Sequence, residues 1–203
     1  MSIVKLNNRS VKDVTAFGSI SSLGSLTHIA TQTASSSASV SFTSGIDSTY
    51  KEYIFYFINL HPSSGQKFQF QGDTGTNTNY NQTITSTSFN AYHDEGDSYT
   101  ALEYRTDADQ AQGTSFNDLT NYMVATESDS SLTGFLHIFN PSSTTFVKHF
   151  ISRTQIMNGT SSFYSIQNFH AGYFNTTSAL TRFQFKFASG NIDSGQILLF
   201  GLN

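Results

Sequence analysis

The chain of 203 residues has no cysteine, no tryptophan and only two prolines. Without cysteine it can form no disulfide, no thiolate nucleophile and no zinc–sulfur site. Charge is scarce: 12% of residues are Asp, Glu, Lys or Arg, and the formal net charge is −4. No run of Lys or Arg occurs, so the sequence offers no groove for a nucleic-acid backbone. No apolar run approaches the ~18 residues of a membrane-crossing helix, and no membrane insertion is expected. The opening "MSIVKLNNRS" lacks the apolar core of a secretory signal, so folding in a cytosol without export is expected.

What is abundant is aromatic. Phe occurs 19 times and Tyr 10 times, among many Ser, Thr and Asn residues. Such material suits pleated, half-buried strands better than helices. Residues 1–25 stand apart. Val4, Leu6, Val11, Val14 and Phe17 are isolated apolar residues in a Ser- and Gly-interrupted segment that cannot bury a face of its own. The segment reads either as a loose terminus or as a docking arm that orders on a partner.

From residue 26 onward, strand signals recur every 8 to 15 residues. "SVSFTSG" and "KFQFQ" alternate, and "RFQFKFA" sets Phe183, Phe185 and Phe187 inward against Arg182, Gln184 and Lys186. "EYIFYFINL" is apolar on both faces, which places it in the middle of the fold. "LTGFLHIFN", "TFVKHFISRT" and "GQILLFGL" complete the set, with Phe146, Lys148 and Phe150 opposite Val147, His149 and Ile151. Polar Gly-, Asn- and Ser-rich turns separate them. The expectation is an all-β fold: an antiparallel β-sandwich of jelly-roll type over 26–203, carrying the 1–25 arm. One segment, Asp107 to Leu119, has room for at most a turn or two of helix.

Chemistry-bearing residues concentrate in His93-Asp94-Glu95-Gly96-Asp97. Adjacent carboxylates can bind calcium, and acid–base work also draws on such residues, but the spacing fits no EF-hand loop. Flanked by strand-like "FNAY" and "YTALEY", the cluster reads as a solvated turn. The six histidines show no zinc-site spacing, no GxSxG elbow accompanies the serines, and no Gly-rich loop opens a helix. No catalytic residue and no cofactor is expected. Tyr80, Tyr92, Tyr99 and Tyr104 lie near loops among Asn and Asp, and form the best ligand hypothesis: tyrosine faces stack on sugar rings while amides and carboxylates read hydroxyls.

Four phrases carry a resemblance: "GIDSTYKEYIF" (Gly45 to Phe55), "LHIFNPSSTTFVKHF" (Leu136 to Phe150), "GYFNTTSAL" (Gly172 to Leu180) and "SGNIDSGQILLFG" (Ser189 to Gly201). Together they resemble virion structural proteins of marine tailed bacteriophages, those of cyanobacteria and SAR11-like bacteria, often described as tail-fibre-like. The arm "VKLNNRSVKDVTAFGS" is similar to the N-termini by which phage appendages attach to the particle. The resemblance implies a non-enzymatic virion protein, a homotrimer, docked on other virion proteins by Val4, Leu6, Val11, Val14 and Phe17. The alternative is a carbohydrate-binding module or lectin-like binder of a host surface glycan.

Overall fold

The computed structural model describes residues 26–159 and 163–202. The arm residues Val4, Leu6, Val11, Val14 and Phe17 lie outside them. Twelve strands are described: β1 (Thr27–Thr33), β2 (Val40–Phe42), β3 (Glu52–Pro62), β4 (Phe68–Thr74), β5 (Ile84–Asp94), β6 (Thr100–Tyr104), β7 (Asn117–Asp118), β8 (Leu132–Phe139), β9 (Lys148–Asn158), β10 (Tyr164–Phe174), β11 (Leu180–Phe187) and β12 (Ile192–Leu202). They form two antiparallel sheets, ordered β1-β12-β3-β8-β9-β10-β5-β6 and β2-β11-β4-β7. No α-helix occurs among the described residues, and Asp107 to Leu119 holds only the end of a turn closed by Ala108 N–H on Arg105 O, irregular chain and β7.

The pairing has a simple logic. β1 pairs β12, β2 pairs β11, β3 pairs β8 and β4 pairs β7, so four nested pairs run from the outside of the sequence inward. A long antiparallel ribbon rolled up on itself gives this nesting, with alternate pairs falling in opposite sheets, and that is a jelly roll. Two hairpins are inserted into the roll. One, β5–β6, follows β4; the other, β9–β10, follows β8. They pair with each other through β10 and β5, and widen one sheet from four strands to eight.

Alternation fills the space between the sheets. Phe183, Phe185 and Phe187 point inward, as their spacing predicts, and all three are buried. Phe185 sits among Phe42, Phe55, Phe57, Phe68 and Phe70, with ring centroids 5.0–6.5 Å apart. Mostly edge-on and tilted packing of this kind adds ~0.5–1.5 kcal/mol per pair beyond area burial. "EYIFYFINL" is indeed central, as β3 between β12 and β8. In "TFVKHFISRT" the strand begins only at Lys148. Phe146 precedes it, 69% exposed, and its carbonyl accepts a 2.7 Å bond from the buried Lys148 ammonium, which also reaches Thr176 O at 2.9 Å.

The inserted hairpins bury a different kind of face. Ser86, Ser88 and Asn90 of β5, Ser152 and Thr154 of β9, and Asn168 and His170 of β10 all point inward. The four-stranded sheet meets them only at its β7 edge, where Asn117 donates to Ser86 Oγ at 3.0 Å. An irregular segment, residues 105–131, covers them instead, and its backbone groups need partners there. Asn168 Oδ1 accepts Asn121 N–H at 2.9 Å, Thr154 Oγ1 donates to Leu119 O at 2.7 Å, and Ser86 Oγ accepts Gln110 N–H at 3.0 Å. The polar strand residues thus do for an irregular cover what a sheet ladder does for a strand.

Candidate functional site

At the free end of the inserted hairpins the inner face opens into a cleft of about 250 Å³ lined by Tyr92, Tyr99, Tyr122, Asn158, Tyr164 and Ile166. Four of these come from paired positions of the sheet. Tyr92 of β5 pairs with Ile166 of β10, and Tyr164 of β10 pairs with Asn158 of β9. Tyr122 comes from the covering segment, and Tyr99 from the turn between β5 and β6. Tyr92 is the hub. Its ring stacks on Tyr99 at 5.6 Å and meets Tyr122 and Tyr164 edge-on at 6.0 Å each.

The rings are fixed from behind by charge. Glu103 of β6 accepts the Tyr92 hydroxyl at 2.9 Å and the Tyr122 hydroxyl at 3.2 Å. Arg105 donates to the same carboxylate at 3.4 Å, and its guanidinium lies 4.2 Å from the centre of the Tyr122 ring. Burial, with bonds to Tyr99 and Glu103, holds the Tyr92 phenol well above the ordinary tyrosine range. Burial also raises Tyr122. Both phenols therefore stay protonated and keep their hydroxyl hydrogens on Glu103. Arg105 is anchored in turn by Asp107 at 2.8 Å, a bond that pushes the Asp107 carboxyl far below its usual range.

The acidic turn finds its purpose here. Asp94 was expected to be solvated with its neighbours, but it ends β5 with its inward side chain only 3% exposed. Its carboxylate accepts Ser98 N–H at 2.9 Å, Tyr99 N–H at 2.7 Å and the Ser98 hydroxyl. The Ser98 hydroxyl contributes most to holding the Asp94 carboxyl below its ordinary range. Asp94 thus ties the turn that presents Tyr99. Glu95 and Asp97 are exposed, as the turn reading predicts. Among the described residues no group of three or more His, Asp or Glu side chains is placed to hold a metal ion.

No family model, no curated protein and no solved structure matches this chain.

Of the four tyrosines singled out in the sequence, the structure brings two together. Tyr92 and Tyr99 stack on one another in the wall of the cleft. Tyr104 points out of the opposite face of β6, 56% exposed, and donates to Asp109 at 2.6 Å. Tyr80 is buried beside Phe116, with its N–H on Asp73 at 2.8 Å, and takes no part in the cleft. Tyr122 and Tyr164 complete the cleft in their place. Tyr164 opens β10, a strand that the sequence pattern does not single out. Tyr122 lies in irregular chain with no periodic signal.

Two other clusters have catalytic residue types and are arranged for structure. Ser88 and His170 are 2.9 Å apart and buried. Ser88 donates its only hydrogen to Asn121 Oδ1, so the network assigns the hydrogen between them to His170 Nε2. A histidine that donates to a serine cannot take that serine's proton. Lys67 bridges Asp107 and Asp118, both at 3.1 Å, and pins the covering segment to the four-stranded sheet.

Proposed function

We propose that the protein is a non-enzymatic structural protein of a bacteriophage virion, and that its tyrosine cleft binds carbohydrate on the host surface. The particle half of this reading rests on the resemblance of four phrases, spread from Gly45 to Gly201, to virion structural proteins of marine tailed phages. It carries with it a docking arm at 1–25, contact with other virion proteins and a homotrimer. A jelly roll is compatible with this, since capsid and lectin domains both use it, but the fold alone does not choose between them.

The carbohydrate half rests on one observation: the cleft at the tip of the insertions. Four tyrosines surround a space of about 250 Å³, below the ~300–1,000 Å³ of drug-sized sites. That is room for one sugar ring. Tyrosine faces suit its C–H faces, and hydroxyls and the Asn158 amide suit its polar rim. Glu103, Arg105 and Asp94 hold the rings before any ligand arrives, which lowers the entropy cost of binding. Insertions on a rigid scaffold are also where binding residues concentrate.

Affinity electrophoresis in gels cast with bacterial surface polysaccharides tests the carbohydrate half. Retardation of the wild type that disappears in Tyr99→Ala and Tyr164→Ala is the expected result. Equal mobility of all three in every polysaccharide sinks it. The particle half is tested by proteomics of purified phage whose genome encodes the chain. It fails if the protein is missing from the particles.

A further inference from the structure

The two outward faces of the sandwich differ in kind. On the four-stranded sheet the outward residues include Ser41, Gln69, Gln184 and Lys186, the polar set of a water-facing strand. On the eight-stranded sheet the register aligns Leu198, Tyr56 and Phe135 of β12, β3 and β8 in one row. The row continues through Arg153 of β9 into Phe169, Phe89 and Tyr104 of β10, β5 and β6. Phe200, Ile54, His137 and Ile151 stand in the neighbouring row, with Ile54 already covered by its neighbours. This is why β3 is apolar on both faces: one face meets the core, and the other joins an outward band.

The band is ordered. Phe89 and Phe169 stack at 4.7 Å with planes 6° apart, and the Arg153 guanidinium lies 5.2 Å from the Phe169 centroid. Tyr56 meets Phe200 edge-on at 5.6 Å and Phe135 at 6.4 Å. It is also nearly free of charge. The chain has 10 Lys or Arg and 14 Asp or Glu. Along the outward positions of β3, β8, β9, β10, β5 and β6, only Glu52 and Arg153 are charged. Aromatic and Arg enrichment with charge depletion marks the centre of a protein interface.

We propose that this face is where copies of the chain meet one another. Strand spacing of ~4.8 Å across the seven strands of the row, and two or three rows ~7 Å apart, give roughly 500–700 Å². Specific interfaces take from ~600 to ~1,000 Å² from each partner, so the band with its rim reaches the low end of that range. The two charges on it have opposite sign, so copies meeting through it need not oppose like charges. The inference supplies a surface for the homo-oligomer proposed above and rests on that part of the reading alone.

The test is sedimentation velocity of the full chain over a concentration series, for the wild type, Phe169→Glu and Phe89→Glu. Far-ultraviolet circular dichroism verifies that the variants fold. The wild type should sediment as a multiple of the single chain. A buried, unpaired carboxylate should weaken association by about 100-fold or more and return single chains. Hydroxyl-radical footprinting of the wild type gives a second readout that needs no variant. Tyr56, Phe135 and Phe169 should be labelled at low concentration and protected at high concentration. A wild type that stays a single chain overturns both the oligomer and this surface. A multimer that keeps its mass in both variants, with concentration-independent labelling, overturns this surface alone. Loss of polysaccharide retention rather than of mass in Phe169→Glu gives the face to a sugar and equally overturns the proposal.

Discussion

The carboxylate of Asp94 accepts the backbone N–H of Tyr99 at 2.7 Å, and the ring of Tyr99 then stacks on Tyr92 at 5.6 Å. One buried acid therefore sets both the turn and the rim of the cleft. Asp94→Ala should lower the melting temperature and weaken the near-ultraviolet dichroism of the tyrosines, while Glu95→Gln and Asp97→Asn should leave both nearly unchanged. The Asp94 carboxyl titrates below its ordinary value, so its contribution is present above about pH 4 and is lost as the pH falls through the folded value. A near-ultraviolet spectrum untouched by Asp94→Ala would show that the turn holds without it.

His170 makes the opposite demand on protons. It is buried, and burial pushes its pKa down to about 3, with the Lys67 charge adding to the effect. The unfolded imidazole takes a proton near pH 6.5, and the folded one refuses it until about pH 3. Stability from this group is thus complete above about pH 6.5 and falls as the pH drops, by at most ~1.4 kcal/mol per pH unit. Denaturant titrations at intervals from pH 7 to pH 4.5 should show this slope, above the range where Asp94 and Asp107 titrate. His170→Asn should flatten it. A wild-type stability that is level across that window contradicts the prediction.

Phe185 lies at the centre of the aromatic core. Phe185→Ala should cost about 3–5 kcal/mol, the usual penalty for emptying a fully buried aromatic site. Chemical denaturation of the variant and the wild type measures it directly. A loss under ~1 kcal/mol would mean that the surrounding rings collapse into the space.

Of the jelly-roll strands, β2, β4 and β11 were legible because their inward residues are apolar and their outward ones mostly polar, and β3, β8 and β12 as apolar runs, whereas β1 and the two-residue β7 were not. Phe183, Phe185 and Phe187 could be assigned from spacing alone. β10, and β5 before "FNAY", were not legible. Their inward positions are Ser86, Ser88, Asn168 and His170, chosen for an irregular cover that needs hydrogen-bond partners. A periodic reading of hydrophobicity cannot find a strand whose buried face is polar. The same cause hid half the cleft. Tyr92 and Tyr99 stood out beside the acidic turn, but Tyr122 is brought in by residues 105–131, a segment held by Asn121, Thr154 and Lys67 rather than by a sheet. Asp94 was misread for a related reason: a buried acid saturated by local N–H and O–H donors looks, in sequence, like its solvated neighbours.

The cleft separates stacking from hydrogen bonding in a way that substitutions can read. Tyr99 is 54% exposed, so Tyr99→Phe and Tyr99→Ala should each change stability by less than ~0.5 kcal/mol. Tyr99→Phe keeps the ring over Tyr92 and removes only the hydroxyl. Tyr99→Ala removes the ring, and should weaken sugar binding by about a further 10-fold, equivalent to ~1.4 kcal/mol. Glu103→Ala acts differently. It frees the Tyr92 and Tyr122 hydroxyls and one Arg105 contact together, so the rings lose their fixed orientation without losing any ligand contact. Calorimetry with the best-retarding polysaccharide should then show weaker binding with a larger entropy penalty than in the wild type. If Tyr99→Ala and Glu103→Ala bind as tightly as the wild type, the sugar does not sit among these four rings.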